Sequence, residues 1–435
     1  MDPREPAWTS QPDPPETTSA AAARARLVTE LRHRGSGLSR SVQDAFARVP
    51  RHVFVPEVGA AAAYRDEAFV IKCGADGMPV SSSSQPAMMA IMLDQLGLMP
   101  GHRVLEIGTG SGYNAAVMAA VVGPQGEVVS IDIDADLVAR ARSSLDAAGY
   151  GEVTVRCADG GFGDPSGAPF DRIIVTAGAW DIAPSWLDQL VPGGRLVLPL
   201  SVRAIQLSVA LERVRDAWRS TSAWRCGFVR MMGAFAGPER VLMLDEPQAL
   251  FLQMSDGSPV DGPGLQRALA GPATDVPVNA RLVGLADLPD LDLWLSVTSA
   301  DLARLIILAA PGGWLGLAPL LPVGGLVAHA ADPDQIGVAL LLPAELASGG
   351  PARSGLLGAV FSGFGPGGPA VAARLAEQAG QWAALGRPGA QDMQLTVWPA
   401  AAAPPAATST FGPGASGGLV LHRPSVTIEV GWPPG

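Results

Sequence analysis

Between Val104 and Asn114 a short apolar strand, a turn with glycine at 108, 110 and 112, and the first turn of a helix follow one another without a spare residue. Glycines free a backbone to turn sharply after a strand and to approach a ligand closely. The surrounding sequence repeats this strand-to-helix alternation. Apolar strands are predicted at 102–107, 127–131, 153–156, 171–176 and 195–200. Helices are predicted at 113–122 and 137–148, the latter with Leu137, Ala141 and Leu145 four residues apart. Strands alternating with helices at this interval imply a parallel, doubly wound α/β sheet. The 171–176 segment, with Ile173-Ile174-Val175 as its apolar run, is expected at its centre. Segments 206–214 and 224–231 are expected as edge strands.

The flanks read differently. Residues 1–22 are polar and Pro-rich and are expected to be a disordered tail without a signal sequence. From Ala23 a helical pattern begins, with Gly35–Gly37 as a loop and a second helix closed by Pro50. Residues 23–237 form the expected α/β domain, with the boundary near Gly237–Asp245. Residues 238–435 form an expected C-terminal α+β accessory domain. That second part is poor in charge, with twelve charged residues between 301 and 435. Its expected strands are 291–297, 326–329 and 426–430, its helices 300–309 and 369–385, and its loops 349–368 and 401–418. The long uncharged run 305–331 is interrupted by three prolines and two glycine pairs, so it is read as buried rather than membrane-spanning.

Composition narrows the function. Thirty basic against 41 acidic residues give a net charge of −11, which argues against a nucleic-acid partner. Five scattered histidines and three cysteines without CxxC spacing give no metal site and no disulfide framework. No membrane segment is expected, and the location is read as cytoplasmic.

The glycine turn is GxGxG rather than the dinucleotide GxGxxG, and Glu106 stands just before it. A carboxylate there repels a pyrophosphate and suits a ligand bearing a cation. Asp132 follows the next strand, 20 residues after Gly112, where an acid can accept a ribose diol. Asp159-Gly160 follows the third strand and suits an adenine amino group. Adenine, ribose and an amino-acid moiety together describe S-adenosyl-L-methionine. The expected cofactor set is Glu106, Gly108, Thr109, Gly110, Ser111, Gly112, Asn114, Asp132, Ile133, Asp159 and Gly160.

Several further stretches carry a resemblance. They are Val49–Pro56 (VPRHVFVP), Ala63-Tyr64-Arg65-Asp66, Ser84-Gln85-Pro86 with Met88-Met89-Ala90, Ala158-Asp159-Gly160-Gly161 and Ala168-Pro169-Phe170-Asp171. With the glycine turn, they make residues 27–232 similar to the protein-L-isoaspartate O-methyltransferase family. The resemblance implies a Rossmann-like methyltransferase domain, S-adenosyl-L-methionine as cofactor, and Ser84 beside the acceptor carboxylate. Ser83 joins it as a second catalytic hydroxyl. Tyr64, Asp66, Ser82 and Gln85 are the expected substrate-binding residues.

The chain departs from the family where Ser82-Ser83 replace the usual threonine-isoleucine. That polar run and the long C-terminal part resemble a branch that esterifies an aspartate in a modified, macrocyclic, ribosomally made peptide, leading to aspartimide or isoaspartate. The leading expectation is therefore carboxyl methylation of such a precursor peptide. The alternatives are isoaspartyl repair and a non-enzymatic cofactor-binding scaffold. The accessory domain is compatible with peptide recognition, with covering the active-site mouth, or with forming a homodimer, and recognition is the favoured role.

Overall fold

The computed structural model describes residues 20–34, 38–75, 77–203, 205–245, 250–254, 260–278, 287–299, 302–307, 325–328, 338–343, 359–400 and 418–433. The chain divides into two compact units. The first holds Met1–Val104 and Thr109–Ala158, the second Leu105–Gly108 and Asp159–Gly435.

The first unit opens with helices α1 (Ala20–Arg34), α2 (Arg40–Arg48) and the single turn α3 (Arg51–Phe54). The first of these starts inside the alanine run rather than at Ala23, because alanine is the best helix former. A hairpin follows, β1 (Phe69–Cys73) antiparallel to β2 (Pro79–Ser83), then α4 (Pro86–Leu96). Proline at the first helical position and a left-handed Gly97 cap bound α4. Next come β3 (Arg103–Ile107), α5 (Tyr113–Val122), β4 (Glu127–Asp132), α6 (Ala135–Ala148) and β5 (Thr154–Cys157). Strands β4 and β5 are parallel, with α6 as their crossover. The Asp134 carboxylate caps α6 by accepting from the N–H groups of Asp136 and Leu137 at 3.0 and 3.2 Å. Leu137, Val138, Ala141 and Leu145 form its buried stripe, as the spacing predicts.

The second unit continues with β6 (Phe170–Val175), α7 (Pro184–Asp188), β7 (Leu190–Val202), β8 (Ile205–Val214) and β9 (Ala217–Cys226). Strand β7 is longer than predicted. Phe170 pairs with Leu190 but Arg172 with Arg195, so Pro192-Gly193-Gly194 bulges out of a strand already under way. The second edge strand is displaced, at 217–226 instead of 224–231, because β8 and β9 form a tight antiparallel pair ending Val214↔Ala217.

A seven-stranded antiparallel sheet lies in the same unit. It contains β10 (Arg240–Asp245), β11 (Leu250–Met254), β12 (Ala273–Pro277), β13 (Leu302–Ile307), β14 (Gly325–Ala328), β15 (Val338–Pro343) and β16 (Ala359–Phe364), ordered β10-β11-β13-β14-β15-β16-β12. Its helices are α8 (Gly262–Leu269), α9 (Leu288–Thr298) and α10 (Gly368–Ala384). Two expected elements are exchanged. The 291–297 segment is helical, since Leu291, Leu293, Trp294, Leu295 and Val297 are all buried and a helix without a polar face mimics strand alternation. The 300–309 segment is a strand over 302–307, where a short apolar run with Ile306 and Ile307 is ambiguous by period. The expected loop at 349–368 contains β16. Residues 349–358 of that loop, His329, the loop at 401–417, Gly35–Gly37, residues 1–19 and most of the run 305–331 lie outside the described residues.

The last strands, β17 (Gln394–Pro399), β18 (Leu419–His422) and β19 (Val426–Gly431), return to the α/β sheet. Strand β17 pairs antiparallel with β9 through Thr396↔Arg219 and Val397↔Trp218, and within this unit the order is β18-β19-β17-β9-β8-β7-β6. With parallel strands, helical crossovers and this antiparallel extension, the fold is Rossmann-like, joined to a C-terminal α+β part. Among the described residues, no helix is long and apolar enough to cross a membrane, and no group of three His, Cys, Asp or Glu could hold a metal ion.

The extension is anchored by Trp432, which is buried, lies 5.0 Å from Trp294 ring to ring, and donates Nε1–H to Gly389 O at 2.9 Å. Trp432→Ala is expected to lower unfolding free energy by about 3–5 kcal/mol, read by urea titration.

Candidate active site

Ser81–Ser83 form the end of β2, and Ser84 and Gln85 connect it to α4. The register of β2 is Phe69↔Ser83, Val70↔Ser82 and Lys72↔Ser81, with a bulge at Ile71 on the opposite strand. Ser81 and Ser83 are buried, whereas Ser82 and Ser84 are half-buried, the alternation of a strand. Ser83 Oγ is buried without a hydrogen-bond partner among the described residues. A buried hydroxyl left unpaired costs about 1–3 kcal/mol, so this one is suited to a ligand. Lys72, from the facing strand, ties the hairpin to the start of α6 through Asp134 at 2.6 Å and Asp136 at 2.9 Å.

Behind the serines stands Arg51, the first residue of α3, which is wholly buried. Nη1 donates to the carbonyls of Ala63 and Arg65, each at 3.0 Å. Nη2 donates to Glu67 O at 3.0 Å, Ser84 O at 2.9 Å and, at 3.5 Å, Ser83 O. The Phe69 ring lies 4.9 Å from the guanidinium carbon. Burial pulls the guanidinium pKa down to about 10, which leaves it charged at neutral pH. In the sequence Arg51 stands only within the VPRHVFVP stretch. A lone arginine beside a proline carries no pattern that reveals five carbonyl partners.

The expected substrate residues are held by internal bonds. Asp66 Oδ1 accepts from the Ala87 N–H at 2.8 Å, at the start of α4, and Oδ2 accepts from Gln85 Nε2 at 3.0 Å. Tyr64 is buried, and its hydroxyl meets His52 Nδ1 at 2.8 Å. Burial pushes the Tyr64 pKa up and the His52 pKa down. Asp66 and Gln85 thus brace the segment that follows the serines, and Tyr64 is tied to α3. Ser82 lies against the glycine turn: a Cβ on Gly110 would fall 3.4 Å from Ser82 O.

In the same unit the turn is bonded to β4. Gly110 N–H donates to Asp132 Oδ2 at 2.9 Å, Asp134 N–H donates to Oδ1 at 3.1 Å, and the Thr109 and Ser130 hydroxyls meet at 2.7 Å. Burial raises the Asp132 pKa. A carboxylate offers about four acceptor sites, and main-chain N–H groups of Gly110, Ile133 and Asp134 take part of them. Ile133 is exposed beside it, Ser111 is buried in the turn, and Asn114 is the second residue of α5.

The second unit carries the other expected cofactor residues. Glu106 is fully buried in β3. Gly108 has φ +105°, and a Cβ there would fall 2.6 Å from Thr176 Oγ1, whose hydroxyl reaches Gly108 O at 2.7 Å. Asp159 Oδ1 accepts from Gly161 N–H at 2.8 Å and Oδ2 from Ala234 N–H at 2.7 Å. Buried Gly160 accepts from Trp186 Nε1 at 2.9 Å. The partner role of Ala234 had no signal in the sequence, because a main-chain donor has none. Gly108→Ala must strain both φ and the Thr176 contact. It is expected to cost about 1–3 kcal/mol of stability and to weaken S-adenosylhomocysteine binding in the folded fraction, read by calorimetry.

Comparison with known proteins gives this arrangement its relatives. The family profile for protein-L-isoaspartate(D-aspartate) O-methyltransferase (PCMT) matches residues 22–234. The chain is 42% identical over 221 residues to a protein-L-isoaspartate O-methyltransferase of Methanopyrus kandleri, covering 50% of this chain and 95% of that one. It is 41% identical over 226 residues to the enzyme of that name from Hyperthermus butylicus, covering 50% of this chain and 91% of that one. A solved protein-L-isoaspartate O-methyltransferase is 22% identical, with TM-score 0.45, over 86% of this chain and 96% of that chain. The chain belongs to the protein-L-isoaspartate O-methyltransferase family and is an S-adenosyl-L-methionine-dependent methyltransferase.

Proposed function

We propose that the protein esterifies the free α-carboxylate of an isoaspartyl residue, the activity that gives its relatives their name. The observation that carries this reading is Ser83 at the end of β2 with Ser84 directly after it, the Ser83 hydroxyl being buried and, among the described residues, unpaired. We assign the cofactor to Glu106, Gly108, Thr109, Gly110, Ser111, Gly112, Asn114, Asp132, Ile133, Asp159 and Gly160, and the acceptor to Ser83 and Ser84.

The acceptor needs no general base. A carboxyl group has an unperturbed pKa near ~4 and is already anionic at neutral pH. When bound, the cofactor supplies a methyl group on a sulfonium; the C–S pair stays on sulfur as the carboxylate oxygen bonds to carbon. The chain's task is orientation, which accounts for a large part of the rate of such in-line transfers. Ser83 and Ser84 donate hydrogen bonds that aim one carboxylate oxygen. Hydroxyls suit this task because a guanidinium clamp would hold the ground-state anion too firmly. Arg51 directs its Nη donors to carbonyls instead. The methyl ester then lets the following backbone nitrogen attack, closing a succinimide and releasing methanol.

A second reading, methylation of an aspartate in a modified ribosomal peptide, draws on Ser82-Ser83 at a position where the family carries threonine-isoleucine and on the chain beyond residue 238. In that reading the C-terminal part recognises the peptide.

Mass spectrometry separates the readings. Incubation with S-adenosyl-L-methionine and an isoaspartyl peptide is expected to add one methyl group, with the matching aspartyl peptide unchanged. Methylation confined to aspartate in a cyclised precursor would favour the second reading, and cofactor binding without any methylation would leave only a scaffold. Ser84→Ala is expected to lower kcat about ten- to hundredfold, the ~1.5–3 kcal/mol of a hydrogen bond to a charged group. S-adenosylhomocysteine affinity should stay unchanged, and an equal loss of both would remove Ser84 from its assigned role.

A further inference from the structure

Arg51 is a buried cation whose hydrogen bonds, among the described residues, all end on main-chain carbonyls. An isolated charge in a protein interior costs several kcal/mol unless dipoles replace the lost water. Here they come from the 63–67 segment and from Ser83-Ser84. The second group matters for chemistry. Along an extended strand, successive carbonyls point to opposite sides. The carbonyls of Ser83 and Ser84 instead converge on one nitrogen, Nη2. The chain must therefore turn at Ser84, and it does: β2 ends at Ser83 and α4 begins at Pro86.

In a trans peptide the N–H points opposite to the carbonyl. With Ser83 O and Ser84 O drawn to Arg51, the N–H groups of Ser84 and Gln85 are directed away from it. A cation on the carbonyl side also polarises those peptides and makes their N–H groups better donors. Neighbouring N–H groups with a common direction form a concavity suited to an anion.

We propose that Arg51 is a positioning residue for methyl transfer: it fixes and polarises the two peptide groups around Ser84, so that their N–H groups and the serine hydroxyls receive the acceptor carboxylate in a preset orientation. This rests on the carboxyl-methylation reading above. The guanidinium acts through the main chain and does not touch the substrate. A lysine cannot replace it, because one ammonium has three donors and no fork to span carbonyls from two segments.

The test uses the full chain, an isoaspartyl peptide and S-adenosylhomocysteine. Wild type, Arg51→Lys and Arg51→Ala are compared for kcat, KM, cofactor-product affinity and melting temperature. Arg51→Ala is expected to lower kcat about 100-fold while S-adenosylhomocysteine affinity holds, and millimolar methylguanidinium is expected to restore part of kcat. Arg51→Lys is expected to lose kcat similarly without rescue. A folded variant with wild-type kcat, or one losing kcat and cofactor affinity together with no rescue, overturns the proposal. If neither variant melts cooperatively, nitrogen-15 NMR of the wild-type arginine side chains decides. The Arg51 Nη–H signals should shift when peptide is added to the S-adenosylhomocysteine complex, and unmoved signals overturn the proposal. A wild-type chain that methylates no peptide carboxylate refutes the underlying reading instead.

Discussion

A guanidinium enclosed by peptide carbonyls is the constraint from which the serine-bearing part of the first unit is built. Arg51 cannot be buried unless the 63–67 segment and the end of β2 both turn their carbonyls inward. Those segments then brace one another: Asp66 reaches across to Gln85 and the start of α4, and Tyr64 closes on His52. The serines inherit their placement from this arrangement. Removing the cation would leave several buried carbonyls unpaired at once, so the cost of its loss is shared by every segment it holds. The aromatic faces of Phe69 and Tyr113, 4.9 and 5.8 Å from the guanidinium carbon, add attraction without competing for its protons.

The glycine turn obeys a different logic. Its shape is set by main-chain bonds to neighbours on adjoining strands, Gly110 to Asp132 and Thr109 to Ile131 O at 3.2 Å. Asp132 holds the turn with both oxygens, which accept from the N–H groups of Gly110 and Asp134. Asp159 in the second unit is held in the same divided way, with Gly161 and Ala234 each donating to one oxygen. Acids so held are oriented before any ligand arrives, which lowers the ordering cost of binding.

The α/β half was legible because its signals are local. The turn from β3 into α5, the stripe of α6 and the proline that opens α4 each follow from a few adjacent residues. The acids at the strand ends were legible for the same reason. Residues 291–297 and 300–309 were misread because buried segments lack the polar positions that distinguish a helix from a strand. The setting of Arg51 has no sequence signature because its partners are carbonyls, which every residue carries. The bonds of Asp66 to Gln85 and Ala87 and of Tyr64 to His52 depend on pairings that no local stretch of sequence carries. The bulge at Pro192–Gly194 arises from register, which becomes visible only when β6 and β7 are laid side by side.

The pairing of β9 with β17 has a consequence for synthesis. Ser220 Oγ accepts the Leu395 N–H at 2.8 Å across a separation of 175 residues. At about 5–20 residues per second, a ribosome needs roughly 10–35 s to travel that distance. Throughout that interval β9 is complete but one of its edges has no partner, and an uncovered edge strand is a template for pairing with other chains. Trp218 and Trp224 lie on that same strand. The nascent chain thus has a period of exposure set by translation speed, and a chaperone that covers a β edge would act on this protein before its last strands emerge.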